Sequence, residues 1–214
     1  MFFGRKPVMV TPEQALPGRS TPVYPVGLEH VLFEIPIDST PEDTEVAYFA
    51  LGCFWGEEKM FWETEGVRNT AVGYQGGFTP NPTYEEVCTG QTGHTETVRV
   101  CFDPTVVSYS DLVRQFFEAH DPTQGFRQGN DVGTQYRSAL FVSPEQEPIA
   151  RELAAQAQQS YSAAGFGDLT TQIAPASAES VAGEFFFAED YHQQYLVKNP
   201  SGYCPIHSTG VKCG

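Results

Sequence analysis

The chain has 214 residues, enough for one domain with a hydrophobic core and additional arms. Its formal net charge of -15 argues against binding to nucleic acid or to anionic membranes, because both favour an excess of Lys and Arg. No stretch has the length and apolar character of a signal peptide or a transmembrane helix, so we expect a cytoplasmic protein. No interface is evident, and a monomer is the default expectation.

The first 44 residues are rich in proline and polar side chains, which break any regular period. We predict an extended arm packed on the domain, with one short helical turn near residues 12–16. A disordered arm is the alternative that the composition leaves open.

Residues 45–200 have the patterns of a catalytic α+β domain. Strands are predicted at 46–51, 67–74, 95–102 and 138–142, and helices at 57–64 and 109–120. Ser108 and Asp111 form a capping box at the start of the second helix. The order strand–helix–strand–strand–helix–strand is typical of a split βαβ, ferredoxin-like core, which predicts an antiparallel sheet covered on one face by helices.

The remaining segments complete this outline. Loops are expected at 78–93 and 121–137, a helix from 143 to 164, further strands at 169–174 and 183–187, and a helix over 189–199. Residues 201–214 contain two glycines and two cysteines, and we predict a mobile tail rather than a core element.

The strongest candidate for chemistry is Cys53, in the GCFWG motif at residues 52–56. It lies where a predicted strand ends and a helix begins, and the free N–H groups of a helix N-terminus can stabilise a thiolate. Phe54 and Trp55 place two aromatic side chains beside it. A single cysteine on a strand is more often structural, but this combination favours a nucleophile.

The other polar candidates are weak signals when taken singly. They include Tyr84, Glu96 in the GHTE motif at 93–96, and Asp131 and Tyr136 in the glycine-bearing loop at 129–137. Cys53 with His94 or His192 could instead serve acyl transfer or peptide hydrolysis. Cys204, His207 and Cys213 could form an incomplete zinc site, which would suggest an interaction module.

Four motifs in order make the chain resemble the A-type peptide methionine sulfoxide reductases. They are GCFWG at 52–56, GHTE at 93–96, GNDVGTQYRS at 129–138 and YHQQYL at 191–196. The resemblance extends over about residues 46–203, and the ALPGR segment at 15–19 is similar to that of longer bacterial members.

The resemblance implies reduction of methionine-S-sulfoxide, free or in proteins. It implies that Cys53 attacks the sulfoxide sulfur, while Phe54 and Trp55 hold the substrate methyl group. Glu96 would protonate the sulfoxide oxygen, which requires a partly buried carboxyl with a raised pKa. Tyr84 and Tyr136 would hydrogen-bond that oxygen, with Asp131 nearby.

The resemblance also assigns the tail a role after the first step. The product on Cys53 would be a sulfenic acid, which Cys204 would attack to form a Cys53–Cys204 disulfide. Cys213 would then attack Cys204, leaving a Cys204–Cys213 disulfide and freeing Cys53. Electrons would come from thioredoxin or a similar dithiol protein, with no cofactor and no metal. Cys88 and Cys101 match no required role, and we interpret both as structural.

Overall fold

The computed structural model describes residues 7–25, 27–203 and 208–213. The strands are β1 (Glu45–Ala50), β2 (Val67–Gln75), β3 (Thr95–Phe102), β4 (Arg127–Gln128), β5 (Asp131–Val132), β6 (Ala139–Val142), β7 (Gln172–Pro175) and β8 (Phe186–Phe187). The helices are α1 (Phe54–Trp62), α2 (Tyr84–Cys88), α3 (Tyr109–Ala119), α4 (Gln146–Ala163) and α5 (Tyr195–Lys198). No helix in these ranges is long and apolar enough to cross a membrane.

Six strands form one mixed sheet in the order β7-β6-β1-β3-β2-β8. The pairs β6–β1, β1–β3, β3–β2 and β2–β8 are antiparallel, whereas β6 and β7 are parallel. The fold is therefore a mixed α and β fold that contains the predicted strands and helices. The antiparallel pairing expected for the four core strands β1, β2, β3 and β6 is confirmed. The parallel strand β7 is one of the further strands and was given no direction by the sequence, and the ferredoxin-like description stays a prediction.

Both faces of the sheet are covered, which explains why every residue of β3 is buried. On one face the apolar core joins the strands to α1, α3 and α4, through residues that include Phe49, Phe61, Val98, Val100, Phe116 and Leu153. On the other face the arm crosses the strands. The Arg99 guanidinium donates to the carbonyl of Ser39 at 3.1 Å, and the Asn69 amide donates to that of Pro36 at 3.0 Å.

The arm is packed on the domain in the ranges 7–25 and 27–44, as predicted. Its helical turn is a 3-10 turn at Pro12–Gln14. Just after this turn, Leu16 N–H donates to the carbonyl of Gln91 at 3.0 Å. Arg19 forms a bidentate pair with Glu86 at 2.8 and 2.9 Å, so the arm also supports α2.

The continuous helix predicted over 189–199 is present only in part, as the short α5 at Tyr195–Lys198. A 3-10 turn at Asp190–His192 is followed by Gln194 in the left-handed region, with φ of 48°, before α5 begins. Side-chain contacts outweigh helix propensity here. The Gln193 amide pairs with both backbone groups of Val72 at 2.9 and 2.8 Å, which extends the edge of β2.

The tail prediction is wrong for residues 208–213, which pack against the domain. Val211 and Cys213 are buried and belong to the main apolar core. Ser208 Oγ donates to the carbonyl of Glu118 at 2.7 Å, near the end of α3. Cys204 and His207 lie outside the described residues.

Candidate active site

Cys53 is the N-cap residue of α1, three residues after the end of β1, so the strand-to-helix junction lies where the sequence predicts it. The preceding Gly52 has φ of 131°, a conformation that favours glycine. A Cβ atom at Gly52 would lie 2.7 Å from the Gln128 side chain, so the space also requires glycine. This turn leaves the Cys53 thiol at the helix N-terminus, partly exposed.

The thiol opens into a small cavity of about 120 Å³. Its walls come from the first residues of α1 and α2, from β3, from β5, and from the 3-10 turn at Thr134–Tyr136. One further wall residue, Tyr203, lies in the segment after α5. The lining residues are Cys53, Phe54, Trp55, Tyr84, Glu96, Asp131, Tyr136 and Tyr203. All seven residues predicted for catalysis and substrate binding therefore meet here, and Tyr203 joins them.

Glu96 is the buried acid of this cavity. Its side chain, on β3, is only 1% exposed, and one carboxyl oxygen accepts the Phe54 N–H at 3.1 Å. Burial raises the pKa of Glu96 to about 8; the Phe54 N–H lowers it, and Asp131 raises it. At neutral pH most of this carboxyl is thus protonated, and it can donate a proton into the cavity.

Two phenols lie next to this acid. Burial first, and then the charge of Glu96, raise the pKa values of Tyr84 and Tyr136, so both retain their hydroxyl protons. Tyr84 is held by the first turn of α2, where Thr83 forms a capping box with Glu86. The Tyr84 N–H donates to Glu189 at 2.8 Å.

The helix N-terminus acts on Cys53 in the expected direction, but other effects outweigh it and the net pKa of the thiol is raised. Burial raises this pKa, and the carboxyls of Glu96, Glu57 and Asp131 raise it further, although the Trp55 N–H lowers it. Protonated Glu96 exerts no such repulsion. The thiol and the acid are therefore electrostatically coupled, and the thiolate is favoured when Glu96 keeps its proton.

His192 supports the aromatic wall, and the sequence alone assigned it no such role. The Trp55 indole N–H donates to His192 Nδ1 at 3.0 Å, and Trp55 stacks on Tyr195 with 3.9 Å between ring centres. His192 is 1% exposed, and burial lowers its pKa to about 4. The ring is therefore neutral, and because Nδ1 accepts a hydrogen bond, the proton lies on Nε2.

Tyr203 brings the tail to the cavity. Its hydroxyl donates to the Asp131 carboxylate at 3.3 Å, and it lines the cavity while remaining about half exposed. The residue before the predicted resolving cysteine therefore lies at the site. The pattern that could have indicated this was its position directly before Cys204.

Comparison with known proteins agrees with this geometry. The family model described as peptide methionine sulfoxide reductase matches residues 45–212. The chain belongs to this family. It is 55% identical to the peptide methionine sulfoxide reductase MsrA of Corynebacterium kroppenstedtii, covering 99% of this chain and 98% of the relative. It is 56% identical to that of Streptomyces griseus, covering 100% and 96%.

A solved structure, methionine sulfoxide reductase A of Corynebacterium diphtheriae, is also similar to this reductase. Its TM-score is 0.86 at 51% identity, covering 97% of this chain and 99% of that one. The protein is accordingly an enzyme, an oxidoreductase whose reaction is the reduction of methionine sulfoxide.

The cysteine peptidase alternative has no geometric support in the reductase. Neither His94 nor His192 lines the cavity around Cys53. His94 is buried, with Nδ1 accepting the Gly77 N–H at 3.1 Å and Nε2 lying 2.8 Å from the Thr79 carbonyl. Both nitrogens of His94 are therefore engaged in holding a loop.

Cys88, Cys101 and Cys213, the other cysteines within the described ranges, do not line this cavity. Cys213 is 4% exposed and packs beside α3, where its N–H donates to Glu118 at 2.9 Å. Cys101 is buried in β3, which fits a structural role, whereas Cys88 is exposed at the end of α2. The zinc hypothesis concerns Cys204 and His207 as well, which lie outside the described residues, so it stays untested.

Two adjacent glutamates of α1 lie behind the nucleophile in contrasting surroundings. Glu58 accepts hydrogen bonds from Thr70 and from the backbone and side chain of Gln194 at 2.8–3.0 Å. Glu57 is 5% exposed, and neither carboxyl oxygen has a well-formed hydrogen bond in the described structure. Burial raises the pKa of Glu57 well above its usual range, opposed by the nearby Leu51 N–H.

Proposed function

We propose that this reductase acts on the S epimer of methionine sulfoxide, free or in proteins, with Cys53 as nucleophile. The observation that carries the proposal is the cavity in which the thiol, a buried acid and two phenols converge. The preference for the S epimer rests on the resemblance to the A-type enzymes.

In the first step the Cys53 thiolate attacks the sulfoxide sulfur. Glu96 gives its proton to the sulfoxide oxygen, which is a poor leaving group when unprotonated, and the Tyr84 and Tyr136 hydroxyls donate hydrogen bonds to it. The oxygen is then transferred to the cysteine sulfur. Methionine leaves, and Cys53 carries a sulfenic acid, so the sulfoxide is reduced by two electrons and the thiol is oxidised by two.

Phe54 and Trp55 would bind the methyl group of the substrate. Phe54 is fully buried and Trp55 is fixed by His192 and Tyr195, which makes this wall apolar and rigid. Asp131, paired with Tyr203, is placed at the polar side of the cavity.

Recovery would proceed through the tail cysteines. The Cys204 thiol attacks the sulfenic acid, forming a Cys53–Cys204 disulfide and releasing water. Cys213 then attacks Cys204, which frees Cys53 and leaves a Cys204–Cys213 disulfide. A thioredoxin-type dithiol protein reduces that disulfide, because each cycle consumes two thiols. The position of Tyr203 at the cavity supports Cys204 as the first to react.

An epimer-resolved assay with dithiothreitol tests the proposal. Wild-type protein should reduce the S epimer and leave the R epimer, and Cys53→Ser should be inactive while retaining its circular dichroism spectrum. Cys101→Ser is the matched control, since Cys101 lies outside the cavity, and its rate should stay near wild type. Equal rates on both epimers, or turnover by Cys53→Ser, would contradict it.

A further inference from the structure

We propose that Glu118 is a positioning residue for the recycling cysteine: it holds residues 208–213 against α3 and thereby keeps Cys213 out of disulfide exchange until the tail detaches. The inference rests on the proposed relay, in which Cys213 must attack a disulfide. It adds that Cys213 is stored at a defined place on the domain before it does so.

All three oxygen atoms of Glu118 bind the tail segment 208–213. One carboxyl oxygen accepts the Cys213 N–H at 2.9 Å, and the other pairs with the Lys212 ammonium. The backbone carbonyl accepts the Ser208 hydroxyl at 2.7 Å. Near the end of a helix such a carbonyl lacks an intrahelical partner, so Ser208 satisfies a group that α3 leaves open.

Packing supplements these polar contacts. Val211 and Cys213 join the main apolar core, and Thr209 Oγ1 lies 3.0 Å from the hydroxyl of Tyr161 on α4. Residues 208–213 therefore bind in the corner between α3 and α4. The same segment is adjacent in sequence to Cys204, which follows the cavity residue Tyr203.

The docked position is unsuited to thiol exchange. Cys213 is 4% exposed, and burial followed by the charge of Glu118 raises the pKa of its thiol, although Lys212 lowers it. Exchange requires an accessible thiolate in line with the disulfide. The segment must therefore leave the α3–α4 corner before Cys213 can attack Cys204, and the contacts of Glu118 set how often it does.

Alkylation kinetics test this without any turnover. The reduced full-length protein is treated with iodoacetamide at pH 8, and the modification of each cysteine is followed by peptide mass spectrometry. The exposed Cys88 is the internal reference. In wild type, Cys213 should react at least about tenfold more slowly than Cys88. Glu118→Ala should speed Cys213 about tenfold, since charge-assisted hydrogen bonds are lost, and leave Cys88 unchanged.

Two further variants isolate the cause. Glu147→Ala removes the same charge from an exposed helical ion pair with Arg151 and should leave Cys213 protected. Ser208→Ala removes only the contact to the Glu118 carbonyl and should speed Cys213 by a smaller factor, even if Glu118→Ala folds poorly. The inference would be overturned if Cys213 reacted as fast as Cys88 in wild type. It would also be overturned if Cys213 reacted equally slowly in wild type, Glu118→Ala and Ser208→Ala.

This outcome is independent of the relay itself. Peptide mapping after one turnover reports whether Cys213 enters a disulfide, whereas the alkylation rates report only whether it is held. A protected Cys213 that never forms a disulfide would refute the relay and leave the positioning by Glu118 intact.

Discussion

The indole N–H of Trp55 donates to Nδ1 of His192 across 3.0 Å, joining residues that are 137 positions apart in the chain. The contact fixes an aromatic wall directly beside the nucleophile and fixes the tautomer of a buried histidine. It also joins the first turn of α1 to the segment that leads to the tail. Its loss should therefore affect substrate binding more than the chemical step.

We expect His192→Phe to raise KM for methionine sulfoxide about tenfold with a smaller change in kcat, because Trp55 loses its acceptor. His192→Asn can place a carbonyl oxygen near the position of Nδ1 and should restore much of the affinity. Steady-state kinetics of both variants provide the measurement. Equal KM values for the Phe and Asn variants would show that the hydrogen bond does not position the indole.

Glu96→Gln should slow sulfenic acid formation by about a hundredfold to ten-thousandfold, because a positioned proton donor is removed. The pKa of Glu96 is about 8, so in wild type the acid is present below that pH and the single-turnover rate should fall as pH rises through 8. The variant should lack this falling limb. Rapid-quench measurements from pH 6 to 9.5 test both points, and an unchanged rate would remove Glu96 from the acid role.

Glu57→Gln should stabilise the protein at high pH. Because the pKa of Glu57 is raised in the folded state, the unfolded chain releases a proton that the folded chain keeps, and wild-type stability falls as pH rises above about 4.5. The amide removes this loss. We expect wild type and variant to have similar Tm values at pH 5 and the variant to have the higher Tm at pH 8. For a chain of this length, each kcal/mol gained in the free energy of unfolding raises Tm by about 2–4 °C.

Glu58→Gln is the matched control on the same helix. Burial raises the pKa of Glu58 to about 7, so at pH 8 it is a carboxylate that accepts three hydrogen bonds from Thr70 and Gln194. An amide there places a donor against those donors, so Tm should fall at pH 8, and it should change less at pH 5, where the wild-type carboxyl already carries a proton. If Glu57→Gln and Glu58→Gln changed Tm at pH 8 in the same direction, the lack of well-formed hydrogen bonds to the Glu57 carboxyl within the described structure would not explain the gain in stability.

The tail cysteines should stop the reaction at different stages. Cys204→Ser should consume one equivalent of sulfoxide and then hold a sulfenic acid on Cys53, which a cyclic diketone can trap. Cys213→Ser should stop at a Cys53–Cys204 disulfide and turn over slowly with thioredoxin. Mass spectrometry after turnover without reductant distinguishes these states; a free Cys213 beside a dominant Cys53–Cys204 bond in wild type would end the relay proposal.

Local signals in the sequence were sufficient for the elements that carry the nucleophile. The apolar run before Gly52 and the helix formers after it predicted the junction at Cys53, and the capping box of Ser108 predicted the start of α3. These features depend on residues a few positions apart, which the sequence displays directly. The motifs predicted which residues would be candidates, and the fold brings all seven of them into one cavity.

The tertiary structure alone decided the environment of those residues. The pKa of Glu96 depends on the burial of its carboxyl and on the Phe54 N–H that it accepts. The wall at Trp55 depends on a hydrogen bond to His192, which is 137 positions away in the chain. Two other long-range contacts explain where the predictions for the last part of the chain differ from the structure. The Gln193 side chain binds Val72 where a continuous helix was predicted, and Glu118 binds the Cys213 N–H where a mobile tail was predicted. Desolvation and long-range hydrogen bonds arise only when distant segments meet, so no periodicity in the sequence could report them.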